Sequence, residues 1–186
     1  MSRKAFIKII DPTEAQDKVL QRAYKRISGS RGAIAHVHHS QSLHPKAMMA
    51  HLDLYMVIMY DKSPLSRIQR ELIGAVVSYF NKCSYCILHH YEALKSNWKE
   101  APSIEELIGG QGLNLKDKML VKYCSKLTKS PSEVVEEDYR NLIRVGFDDR
   151  AVLDINLIIG YFNFVNRLVL GIGVEIEKDE ERNYNY

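Results

Sequence analysis

The chain has 186 residues, 46% hydrophobic and 26% charged, with a formal net charge of +3; that length buries a core without staples. Basic and acidic residues are interleaved, so the small positive excess gives no nucleic-acid footprint. The opening MSRKAFIKIIDPTEAQDK has no apolar stretch of signal-peptide length, and no apolar run is expected to span a bilayer. Composition therefore predicts a soluble, cytoplasmic protein with no membrane partner.

The predicted elements are helical throughout. Residues 13–28 carry Val19, Leu20, Ala23, Tyr24 and Ile27 at helical spacing behind Thr13 as an N-cap, with Gly29 and Gly32 as breakers. The segment HVHHSQSLHPKAMMAH, 36–51, holds five of the seven histidines. Without convergent partners it reads as a solvated loop and helix start rather than a metal site. His51 shares a helix face with Tyr55 in 44–60 and is a candidate pocket residue.

Ser66 looks like the N-cap of 67–80, where Ile68, Leu72, Ile73, Val76, Val77 and Phe80 make a broad apolar stripe. Asn81 and Lys82 interrupt it, so Cys83 stands at the start of the next helix, 84–96. SIEELIGG has a capping-box start at Ser103 and Glu106. Residues 115–130 and 131–146 read as two amphipathic helices, and 148–173 as the most apolar and most buried one. EIEKDEERNYNY, 175–186, reads as a loose charged tail after a domain of 1–174. No segment alternates as a strand does, and the fold class is all-α.

The chemistry concentrates in NKCSYCILHHYEALKS, 81–96. A c-type haem needs histidine directly after CxxC, and Ile87 stands there. Zinc needs four ligands, and Cys83, Cys86 and His90 supply three with no second pair in view. Buried, inert thiols suit Cys124, which sits among Leu120, Tyr123 and Leu127. They suit the pair less well, because Lys82, Ser84 and His89 surround it.

A redox dithiol accounts for more. A cysteine in a helix's first turn feels the positive end of the dipole, which favours thiolate. Cys83 and Cys86 lie on neighbouring turns and can close a disulfide, while His90, four after Cys86, faces the same way. Glu71, on the preceding helix, is a candidate to orient that histidine. Asn163 and Asn166, three apart in an apolar helix, need partners, so they either satisfy nearby backbone or line the site or an interface.

The pattern of Glu71, Cys83-Ser-Tyr-Cys86 and His90 resembles the AhpD-like alkylhydroperoxidases of the carboxymuconolactone decarboxylase family, and more closely their peroxidase-related subgroup. HPKAMMAHLDLYMVIMYDKSPLSRIQRELIGAVVSYFNKCSYCILHH and GYFNFVNRLVLGIGVE carry the likeness on both sides of the motif. The resemblance implies a single-domain, AhpD-like helical bundle in homo-oligomers, trimers or hexamers built from dimers. It implies an enzyme, a thiol peroxidase acting on hydrogen peroxide or organic hydroperoxides without metal or other cofactor. Cys86 would attack the peroxide, Cys83 would resolve the sulfenic acid, and His90 with Glu71 would relay the proton. A lipoyl-bearing or thioredoxin-like dithiol protein would restore the thiols. Tyr85 stands where the characterised alkylhydroperoxidase has a second relay histidine, and it joins His51 and Asn163 as a possible pocket residue. The alternatives are a thiol–disulfide oxidoreductase and a redox-sensing oligomer.

Overall fold

Asp11 and Asp17, rather than Thr13, accept the first free backbone N–H groups. Asp11 caps a 3-10 turn at Pro12–Glu14, and Asp17 caps α1, Lys18–Arg31. Gly29 stays inside α1, which ends at Gly32 with a φ of 80°, in the region open to glycine. The structure, a computed structural model, describes residues 4–178; among them are nine α-helices and no strand, as expected. The chain divides into two compact units, one running to Val57 and resuming at Leu168, the other Ile58–Arg167.

In the first unit α1 and α3, Pro45–Tyr60, share a cluster of Leu20, Ala23, Tyr24, Ile27, Met48 and Leu52. The histidine-rich segment departs from expectation. His36–His39 form α2, and His36, His38, His39 and His51 are all buried, not solvated. Their partners explain this. The His36 N–H donates to Glu177 Oε1 at 2.6 Å, the His36 ring meets the Glu175 carbonyl at 2.8 Å, and His39 stands edge-on to Tyr24. His51 stacks on His38 and bonds Gln41 at 2.7 Å. Burial pushes both His39 and His51 down to about 4, so they are neutral core rings at pH 7.

The expected loose tail is corrected at its near end. The Glu175 N–H donates to the Lys4 carbonyl, and Glu177 is buried as the cap of α2. Its last residues, 179–186, lie outside the described residues.

In the second unit Ser66 and Gln69 close a capping box that starts α4, Arg67–Phe80. This helix is buried continuously from Arg70 to Ser78 and packs against α5, Ser84–Asn97, α6, Ile104–Ile108, and α7, Leu115–Lys129. Each of Leu72, Ile73, Val76 and Val77 is buried, contributing about 1.5–3 kcal/mol by leaving water. The predicted helix 131–146 is split. Pro131 opens a 3-10 turn at Pro131–Glu133, Val135 is extended, and α8 covers only Glu136–Arg144.

The last helix, α9, is Asp149–Ile172. By length and composition alone it is apolar enough to cross a bilayer, contrary to the sequence expectation, with a mean hydropathy of 1.5 over its best window. It is also less buried than expected. Ile155, Ile158, Ile159 and Phe162 are buried, whereas Leu153, Leu157 and Phe164 are 44–55% exposed.

Candidate active site

The α4–α5 junction positions the cysteines. Asn81 keeps helical angles, Lys82 turns left-handed with a φ of 56°, the Lys82 N–H donates to the Tyr79 carbonyl, and the Cys83 N–H donates to that of Ser78. This pair of bonds is a Schellman closure. It satisfies the last carbonyls of α4 and leaves Cys83 as the N-cap of α5. Cys86 follows three residues later, inside the first turn.

Both thiols are free and buried, with their sulfurs 3.1 Å apart, well beyond a bond of about 2.05 Å. Their ionisation is shared. A hydrogen bond from the Cys86 thiol lowers Cys83, against the opposing effect of burial and with help from the Cys86 N–H. The same bond raises Cys86 well above an ordinary thiol, as do burial and the Cys83 charge, while the Asn166 side chain pulls the other way. The first negative charge on the pair therefore rests at Cys83. The helix-start argument fits this, whereas the resemblance gives the attack to Cys86.

Asn166 is fully buried, donates to Ser78 Oγ at 3.1 Å and accepts from Asn81 Nδ2 at 2.9 Å. Asn81 also donates to Asn163 Oδ1 at 3.0 Å. The two asparagines of α9 thus tie that helix to the α4 terminus beside the dithiol. Asn163 serves this network from a half-buried position, and Asn166 is the one joined to Cys86.

Glu71 is fully buried, with Oε2 2.8 Å from His90 Nδ1 and Oε1 2.6 Å from Arg67 Nη2. The His90 ring is also held by packing. Phe162 packs edge-on against the ring with centroids 4.3 Å apart. Arg67 also donates to the Met59 carbonyl and the Tyr60 hydroxyl, with its guanidinium 4.0 Å over the Tyr60 ring. Sequence reading passed over Arg67. Its signal was the basic residue four before Glu71, on one helix face.

Gly74 is the packing point under this pair. A Cβ there meets Phe162 ring atoms at 2.9 Å and His90 Cγ at 3.1 Å. Gly74→Ala is expected to displace both rings at a cost of about 1–3 kcal/mol. Thermal unfolding checks the stability loss, and the histidine's ring signals in NMR check the displacement.

Tyr85 is buried with its ring 4.5 Å from that of His89. His51 belongs to the first unit, in the buried histidine cluster described above. Cys124 is completely buried, and burial pushes its thiol far up, as expected for an inert core cysteine. Among the described residues no three His, Cys, Asp or Glu side chains converge as metal ligands.

An all-helical chain with a CxxC dithiol opening one helix, and a Glu–His pair joining that helix to the one before it, has the AhpD-like arrangement. Residues 45–113 match the model of the carboxymuconolactone decarboxylase family. An uncharacterized peroxidase-related protein from Silicibacter sp. TM1040 superposes with a TM-score of 0.85 at 23% identity, over 97% of this chain and 95% of its own. A second such protein, an alkylhydroperoxidase AhpD core from Ralstonia eutropha JMP134, gives 0.84 at 22% over the same shares. The debrominase Bmp8 gives 0.70 at 16%, over 94% of this chain and 91% of its own. At these identities the likeness carries the fold, and the reaction has to be argued from the side chains.

Proposed function

We propose that the protein is a thiol-dependent peroxidase that reduces hydrogen peroxide or organic hydroperoxides through Cys83 and Cys86. The observation that supports it best is two reduced sulfurs 3.1 Å apart at a helix start, one turn from a histidine bonded to a buried carboxylate. The proton on Cys86 crosses to the Cys83 sulfur, and the Cys86 thiolate attacks the distal oxygen of the hydroperoxide. The O–O bond breaks, an alcohol leaves with a proton relayed by His90 and Glu71, and Cys86 becomes a sulfenic acid. Cys83, having passed its proton to the departing hydroxyl, attacks Cys86. Water leaves and the disulfide forms. A lipoyl-bearing or thioredoxin-like dithiol protein then supplies two electrons and two protons, in a reducing compartment such as the cytoplasm. The cycle needs no metal or organic cofactor.

Intact mass of the pre-reduced protein tests this. A small excess of cumene hydroperoxide is expected to remove two hydrogens, mapped by digestion to Cys83–Cys86, and an added dithiol to sustain peroxide consumption beyond the thiol content. Oxidation without turnover points to a redox sensor. Reduction of protein disulfides without peroxide consumption points to a thiol–disulfide oxidoreductase.

We also propose that the protein self-associates through α9. Arg150, Leu153, Leu157, Gly160, Phe164 and Arg167 recur three and four apart, the spacing of a coiled-coil seam, and all are exposed. Space is open above Gly160. An antiparallel second copy sets Leu157 against Gly160, large against small, and Leu153 against Phe164, with Arg150 opposite Arg167 at the ends of the seam. Sedimentation equilibrium is expected to give a dimer, or a trimer-of-dimers hexamer, that Leu157→Glu splits; a monomeric wild type rejects the seam.

A further inference from the structure

Beside the dithiol lies a cleft of about 520 Å³, lined by Tyr79, Phe80, Lys82, Ser84, Ile87 and Lys129. Its place in the sequence matters first. Lys82 and Ser84 bracket Cys83, and Ile87 directly follows Cys86, so the lining flanks both cysteines in the sequence while the thiols themselves are buried behind it. Its volume is in the ordinary range for a small-molecule site. Hydrogen peroxide needs no such cavity.

The lining is divided in character. Tyr79, Phe80 and Ile87 are half-buried and give an apolar wall, while Lys82 and Lys129 are exposed at its rim, and the lining includes no carboxylate. The Lys129 ammonium stands 4.7 Å over the face of Phe80. Lys82 occupies the left-handed position of the Schellman turn, where glycine is the least strained choice. A long cation held at that backbone cost points to use of its charge.

Further lysines lie in a neighbouring cleft. This cleft, of about 880 Å³, shares Phe80 and Lys129 and adds Lys118, Lys122 and Lys126, spaced four apart along one face of α7. Glu133 and Asp138 line this second cleft too, and Asp138 holds Lys126 at 2.6 Å, so the single-sign wall is that of the smaller cleft. The sequence alone shows only a net charge of +3 spread along the chain, but the fold gathers lysines along these two clefts. A cleft walled by one sign of charge raises the local concentration of the opposite sign.

Resting on the peroxidase reading, we propose that the substrate of this site is an amphipathic anion, an organic hydroperoxide with an apolar chain and a carboxylate. The chain lies on Tyr79, Phe80 and Ile87, and the carboxylate is met by Lys82 and Lys129. The hydroperoxide end is directed to Cys86, and the chemistry that follows is the two-electron reduction written above.

The test pairs an acid with its ester. Rates of disulfide formation are measured for linoleic acid hydroperoxide and for its methyl ester, with wild type and with the Lys82→Gln/Lys129→Gln double variant. Calorimetry with the unreactive hydroxy acid and its methyl ester measures binding without chemistry. The expected result is a preference for the acid of about tenfold at low salt, falling with ionic strength and lost in the double variant. Equal rates and equal binding for acid and ester in wild type overturn the proposal, as does a preference that survives in the double variant. Lysine-dependent binding of the hydroxy acid, without oxidation of the dithiol by either hydroperoxide, supports the ligand class and overturns the peroxidase reading.

Discussion

Cys86→Ser is expected to lower peroxide consumption by about 1000-fold or more, because the attacking sulfur is gone and nothing else in the pair replaces it. Cys83→Ser is expected to react once and stop at a sulfenic acid or a higher oxide, visible as added oxygen in the intact mass. The electrostatics of the pair make this comparison informative. The Cys83 bond is the largest contribution raising Cys86, and the Cys83 charge adds to it. Serine there cannot become a thiolate, so the Cys83 charge and its pull on the Cys86 proton are lost, leaving burial to raise Cys86 and Asn166 to lower it. Thiolate absorbance in Cys83→Ser is therefore expected to titrate at a lower pH than the second step of the wild-type pair, and the single-turnover rate to rise with pH through that lower value. If instead Cys86→Ser reacts once and Cys83→Ser is inert, the more acidic sulfur is the nucleophile, and the roles carried over from the family are exchanged.

Glu71→Gln is the second large effect, and it acts on two properties at once. Glu71 bonds His90 with one oxygen and Arg67 with the other, at full burial. Losing the charge removes the ion pair to Arg67 while the amide keeps part of the hydrogen bonding. Arg67 is 21% exposed, which softens the cost to about 2–3 kcal/mol, or roughly 5–10 °C in Tm. The double variant Arg67→Met/Glu71→Gln is expected to recover part of that loss. His90→Gln spares the Arg67 pair, so it is expected to slow the peroxide reaction about a hundredfold with a smaller change in Tm. An unchanged rate and an unchanged pH profile in His90→Gln remove the pair from the relay and leave Glu71 as a structural anchor.

Much of this site was legible before any coordinates. The Ser66 and Ser103 caps, the limits of α4 and the cysteine at the start of α5 all follow from local chemistry within a few residues. Such interactions are encoded by spacing. The errors came where a local signal met a distant partner or a competing local one. The histidines of 36–51 look solvated because they are polar and clustered, yet Glu177 and Glu175 reach back to α2 from the far end of the chain. The helix expected over 131–146 ignored Pro131 and the extended Val135. The uniform apolarity of α9 concealed which residues face inward.

The sequence by itself determined the helical class, the CxxC with its histidine one turn on, and the carboxylate on the preceding helix. Periodicity, caps and short spacings are properties of neighbouring residues. Tertiary structure alone decided that Glu71 is buried between Arg67 and His90, that Asn166 of α9 reaches the dithiol, that the shared proton favours charge on Cys83, and that Lys82 and Lys129 line one cleft. Those outcomes depend on distances and burial between elements far apart in the chain, and a linear pattern of residue types carries neither.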